Sequence, residues 1–107
     1  MTTRTASATW NGTLLEGTGE ITTVESGAFG GLPVSWPRRS ESHDGVTSPE
    51  ELLAAAHASC FAMALSGGLA RNSTPAEKLD VSATITFEKV EAGWRVTKSA
   101  LTLKGVV

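Results

Sequence analysis

The chain has 107 residues, 40% of them hydrophobic, with nine basic and eleven acidic side chains for a formal net charge of −2. That is enough chain for one domain with a single core and little apolar surplus. A near-neutral balance without like-charge runs lacks the electrostatic footprint of a binder of nucleic acid or anionic membrane, so neither partner is expected.

In chain order, the first third reads as β-structure. "TASATW" and "GTGEITT" have the Thr, Ile and Trp content of short strands, and the Asn11-Gly12 pair between them is a hairpin-turn signal. "SGAFGGLPVSWPRRSESHDG" follows, with four glycines and two prolines. It is too irregular for helix and reads as a long loop with a short extended piece at Pro33 to Trp36. Long loops inside compact domains are often functional.

The best-defined local feature is the start of "SPEELLAAAHASCFAMAL", Ser48 to Leu65. Ser48 fits an N-cap, Pro49 the first helical position and Glu51 the third position of a capping box, with two carboxylates near the positive end of the helix dipole. Apolar or small residues at Leu52, Leu53, Ala56, Cys60, Met63, Ala64 and Gly67 follow helical spacing. Nearly every other position is also Ala, Ser or Phe, so the helix should be buried on most sides. It should close near Arg71 or Asn72, at "RNSTP". Its longest apolar run, Leu52 to Leu65, is broken by His57 and Ser59 and reads as too short to span a bilayer. The N-terminal "MTTRTASATW" has no basic segment leading into an apolar one, and the chain reads as soluble and cytoplasmic.

Beyond the helix the pattern has period two. Val81, Ala83, Ile85 and Phe87 face one way and Ser82, Thr84, Thr86 and Glu88 the other, as in a half-buried antiparallel strand. A turn at Glu91-Ala92-Gly93 leads to a second strand, "WRVTKSALTLKGVV". The ending on "GVV" is abrupt for a sheet whose faces and edges need covering.

The chemistry centres on the single cysteine, Cys60, which cannot form an intramolecular disulfide. Free cysteine is among the most buried residue types, so on residue chemistry alone core packing outweighs reactivity. Thiolate chemistry needs a cation, a donor or a helix N-terminus nearby. Cys60 lies well past the first turn, so an activating cation must come from elsewhere in the fold. His57, three residues earlier on a neighbouring face, could form a Cys–His pair or half of a metal site. The other potential ligands are His43 and scattered carboxylates without paired cysteines, so no metal and no cofactor is expected. Arg38 and Arg39, in the irregular loop, could hold a thiolate or an oxyanion, or stand solvated on the surface. The tryptophans and phenylalanines read as core or interface, because no basic residues interleave with them.

"TVESGAFGGLPVSWPRRSES", "SPEELLAAAHASCFAMAL" and "FEKVEAGWRVTKSALTLKG" resemble, in order and spacing, the OsmC branch of the OsmC/Ohr proteins, the thiol-dependent hydroperoxide reductases. The resemblance runs over essentially the whole chain, 1–107, as a single OsmC-like domain, and it reverses the weighing of Cys60. It implies an α+β fold, an antiparallel sheet packed on a long central helix, in an intertwined homodimer with active sites at the interface. It implies that Cys60 is the peroxidatic thiolate, converting a hydroperoxide to an alcohol and itself to a sulfenic acid. By the same resemblance Arg39 stabilises the thiolate and peroxide, and Glu50, from the partner chain, orients the arginine and the peroxide. Arg38 is the alternative arginine, since the following loop is one residue longer than the family's, and His57 is a further candidate. The family continues into another helix with a second, resolving cysteine. The expectation favoured is that these residues are part of a longer protein; the alternatives are that a partner thiol resolves Cys60 or that the chain has lost turnover, and turnover calls for an external dithiol reductant.

Helix geometry bears on the dimer separately. If Glu50 and Cys60 share one straight helix, their backbones are about 15 Å apart, beyond what the two side chains can bridge. Glu50 then reaches a thiol on another chain or acts on none. The Ala, Leu, Met and Phe around the thiol offer a dry lining, which favours organic hydroperoxides as substrates. A stress-defence peroxidase is the reading favoured. The competing ones are a non-catalytic dimeric module that binds a small ligand, and a redox sensor of the same fold.

Overall fold

The computed structural model describes all residues, Met1 to Val107. The elements run β1 (Ala6–Asn11), β2 (Thr18–Val24), β3 (Gly30–Val34), α1 (Trp36–Ser40), α2 (Pro49–Arg71), β4 (Lys78–Val90) and β5 (Gly93–Val106). This is an α+β chain with antiparallel sheets and one long helix in the middle of the sequence. It divides into two compact units, Met1–Pro49 and Glu50–Val107.

The first unit is built on a three-stranded sheet in the order β1-β2-β3. β1 and β2 pair antiparallel from Ala6↔Val24 to Asn11↔Thr18, with a bulge between Ser7 and Ala8. The β1–β2 connection is a six-residue loop rather than the two-residue turn that Asn11-Gly12 signals. Gly12 has φ +95°, a left-handed conformation that glycine adopts freely, and Gly17 N donates to Thr13 O at 2.8 Å. Trp10 explains the longer loop: its Nε1 donates to Gly12 O at 3.1 Å and to Thr13 O at 3.3 Å, tying the loop over the indole. The ring lies against Gly19, where a Cβ would collide with it and with Val34.

The segment read as a long loop contains two regular elements. Gly30–Val34 pairs with β2 through Gly19↔Val34, Glu20↔Pro33, Ile21↔Leu32 and Thr23↔Gly30. Pro33 is tolerated because β3 is an edge strand, where one row of N–H groups has no ladder partner. The chain then turns into α1. Ser35 is its N-cap, accepting from Arg38 N, and Pro37 sits in the first turn, where a missing N–H costs nothing. The loop after it holds two consecutive residues at positive φ, Asp44 at +42° and Gly45 at +79°.

The second unit joins α2 to the β4–β5 hairpin. α2 starts at Pro49 with Glu50 and Glu51 in its first turn and ends at Arg71, as the capping signals and "RNSTP" predict. β4 and β5 pair from Lys78↔Val106 to Val90↔Gly93 around Glu91 and Ala92, and Gly93 takes φ +126°. Leu79, Val81, Ala83 and Ile85 are half-buried while Asp80, Ser82 and Thr84 are exposed, the expected alternation. It shifts at a bulge between Thr86 and Phe87, and beyond the bulge Phe87 stacks on Trp94 with centroids 5.1 Å apart and planes at 26°.

The expected burial of α2 does not hold within the chain. No apolar side chain is buried anywhere, and Glu50 is the one buried residue of the helix. One side of α2 is half-buried, but Leu53, Ala56, Cys60, Met63 and Ala64 are exposed. A two-stranded hairpin can cover only one side of a 23-residue helix, which is about 35 Å long. The helix also exceeds the length read from its apolar run: it is long and apolar enough, by length and composition, to cross a membrane.

Candidate active site

Each candidate side chain is positioned by a local device. Cys60 is exposed in the middle of α2, on the side that also carries Leu53, Ala56, Met63 and Ala64. Its neighbours at helical spacing are Ala56, Met63 and Ala64, with His57 three residues before it on the flank, so the sulfur stands in an apolar strip bordered by one imidazole. Ser59 next to it donates its hydroxyl back to Ala55 O at 2.8 Å, which removes a competing polar group from the strip.

Glu50 is 8% exposed in the first turn of the same helix. α2 is continuous from Pro49 to Arg71, so the ten-residue separation from Cys60 is a real axial distance of about 15 Å. One chain cannot bring this carboxylate to its own thiol.

His57 is held by a strand side chain. A hydrogen bond of 2.5 Å joins its Nδ1 to Ser99 Oγ on β5, anchoring the helix to the hairpin three residues before Cys60. Ser99 gave no signal in the sequence, being one hydroxyl among several on a strand face. No three His, Cys, Asp or Glu side chains gather into a set that could hold a metal ion.

The two arginines, equivalent in the sequence, differ in the structure. The Arg38 guanidinium is paired with Asp44 and also donates to Ser42 O at 3.5 Å. Ser42 Oγ donates to Asp44 Oδ1 at 3.1 Å, and Gly45 N donates to His43 Nδ1 at 3.1 Å. Arg38 thus organises the loop after α1. Arg39, one residue and about 100° further round the helix, lines a cavity of about 180 Å³ instead, with Trp10, Leu14, Val34, Ser35, Trp36 and Pro49. Trp10 and Trp36 read in the sequence as core or interface; here they are cavity walls.

Residues 42–105 match the protein family described as "OsmC-like protein". The chain is similar to "Peroxiredoxin OsmC" of Escherichia coli (strain K12), at 42% identity over 94 residues, covering 88% of this chain and 64% of that protein. The same figures hold for "Peroxiredoxin OsmC" of Shigella flexneri. The chain therefore spans 64% of the length of these relatives. With 64 of its 107 residues inside the family match, and with the helix that carries Cys60, His57 and Glu50 wholly within it, this chain belongs to the OsmC-like protein family.

Proposed function

We propose that the chain is a cysteine-based peroxidase that reduces organic hydroperoxides to alcohols, working as a homodimer whose seam contains Cys60. The observation that carries this reading is the position of that thiol, exposed at mid-helix in an apolar strip, where a second chain and a peroxide can both reach it. Membership of the family and the name of the two relatives support the same chemistry.

The reaction balances as a nucleophilic displacement. The Cys60 thiolate attacks the terminal oxygen of ROOH, the O–O bond breaks, and an S–O bond forms. Sulfur loses two electrons and the peroxide gains them, leaving cysteine sulfenic acid and, after proton uptake by the departing alkoxide, ROH. Arg39 stabilises the thiolate and the leaving oxygen as a permanent cation, and Glu50 orients Arg39 and the peroxide. The first thiol of an external dithiol condenses with the sulfenic acid and releases water; the second opens the mixed disulfide and returns Cys60 to the thiol. Arg39 is preferred to Arg38 because it lines an apolar cavity, whereas Arg38 lies in the following loop's own network.

Two observations support the homodimer. Leu53 and Met63 on α2 are 46% and 75% exposed, and the long strands β4 and β5 form a sheet of only two, leaving edges open to further pairing. In this reading Glu50 serves the partner's Cys60, since about 15 Å along α2 separates it from its own.

The test is direct trapping. Native protein treated with one equivalent of cumene hydroperoxide and dimedone should gain one adduct per chain at Cys60 by peptide mass spectrometry, and dithiothreitol should sustain turnover. A thiol that stays unmodified contradicts the reading; oxidation without turnover replaces the peroxidase with a redox sensor.

A further inference from the structure

His57 has two polar partners in otherwise apolar surroundings. At helical spacing its neighbours are Leu53, Ala54, Cys60 and Phe61, so on its own helix the polar neighbour is the thiol. On the hairpin, Ser99 pairs with Ile85, and paired residues share a sheet face. The next pair on that face is Ala83 with Leu101. Ser99 is thus a hydroxyl in an apolar row, and it meets the imidazole at 2.5 Å. No charged side chain stands at these positions of either element. A contact that served adhesion alone would be met as well by an aliphatic pair. This one fixes a ring instead, and leaves its Nε2 without a partner in the chain.

We propose that His57 is the proton relay of the thiol step and that Ser99 is the residue that positions it. Residues three apart on a helix have Cβ atoms about 5–6 Å from each other, and helical side chains lean toward the N-terminus. Cys60 therefore overhangs the turn that carries His57. With Nδ1–H donating to Ser99 Oγ, Nε2 is the acceptor and takes the Cys60 proton. Sulfur attacks the terminal peroxide oxygen, the O–O bond breaks, and the imidazolium passes that proton to the departing alkoxide. The proton lost by sulfur completes the alcohol and the two electrons lost by sulfur reduce the peroxide, so no outside acid or base is needed. A hydroxyl oxygen accepts from Nδ1–H in both charge states of the ring, so Ser99 holds it throughout. The inference rests on the peroxidase reading and deepens it by naming the group that moves the proton.

Single-turnover oxidation of reduced protein by cumene hydroperoxide, followed by stopped flow across the neutral pH range, tests the relay. The parental rate should be bell-shaped in pH, because at low pH the ring is already protonated and at high pH the shared proton is gone. His57→Asn, whose amide keeps a partner for Ser99 but cannot titrate, should lose about a hundredfold or more in rate and show no alkaline fall. Ser99→Ala, at an exposed strand position, should slow the step by up to about a hundredfold through misplacement of the ring, keep the bell shape, and be rescued by Ser99→Thr. A mere clamp predicts the opposite: lowered thermal midpoints with the parental rate and profile in both variants, which would overturn the proposal. Dimedone trapping of the parent keeps the two readings apart. A Cys60 that reacts in the parent and equally fast in His57→Asn removes the relay alone, whereas an inert parental Cys60 removes the peroxidase and the relay with it.

Discussion

Cys60→Ser and Arg39→Ala should each abolish organic hydroperoxide reduction, for different reasons. A serine hydroxyl is protonated at neutral pH and cannot cycle through a sulfenic acid, so the first loss should be about a thousandfold or more, in line with the removal of other catalytic nucleophiles. Arg39→Ala keeps the sulfur but removes the permanent cation, and a preorganised charge at the reacting atoms is worth about a hundredfold to a thousandfold. Arg38→Ala should behave differently. Its guanidinium is committed to Asp44 and the Ser42 carbonyl, an exposed pair worth up to about 1 kcal/mol, so that variant should lose stability by about that amount and retain turnover. Peroxide consumption coupled to dithiol oxidation, measured beside a thermal midpoint, distinguishes the three.

The second large effect concerns the helix face. Met63 is 75% exposed in the isolated chain, and if the chain worked alone Met63→Glu would be a surface change of about half a kcal/mol or less. In a seam between two copies the same carboxylate must be desolvated without a partner, a cost of several kcal/mol, or a loss of about a hundredfold to a thousandfold in dimer affinity. Sedimentation of the variant should show monomer or aggregate where the parent is dimeric, with peroxidase activity lost in proportion. A dimer unaffected by this substitution would move the interface off α2.

What could be read without coordinates was decided by how local each signal is. The start of α2 was legible because Ser48, Pro49 and Glu51 act within one turn, and its end because "RNSTP" cannot continue a helix. The β4–β5 hairpin was legible from strict alternation, until the bulge after Thr86 shifted the pattern, a change no composition marks. α1 was not legible: five residues give too short a period, and Trp36-Pro37 argues for extended backbone just where Ser35 caps a turn. The site divides the same way. Cys60 and Glu50 lie in one strong motif, but what separates Arg38 from Arg39 is a cavity wall formed by Trp10 and Leu14, more than twenty residues away. The anchoring of His57 depends on Ser99, 42 residues away.

The burial of α2 is the instructive mismatch. Its composition asks for cover on most sides, and the chain supplies cover on one. The expectation came from the right chemistry applied to the wrong unit, since an apolar strip specifies that something must cover it and not which molecule does so.

We propose that Arg39, like Glu50, serves the Cys60 of the other chain, and mixing two inactive proteins distinguishes this from a site within one chain. Cys60→Ser and Arg39→Ala chains, unfolded together and refolded at equal concentration, form mixed dimers as half of all dimers, and each mixed dimer contains one intact site out of two. Recovery of about one quarter of the parental rate with cumene hydroperoxide is expected, from an isologous two-fold pairing of the two chains. A mixture no more active than its components, with mixed dimers demonstrated by native mass spectrometry, would place arginine and thiol in the same chain and contradict it.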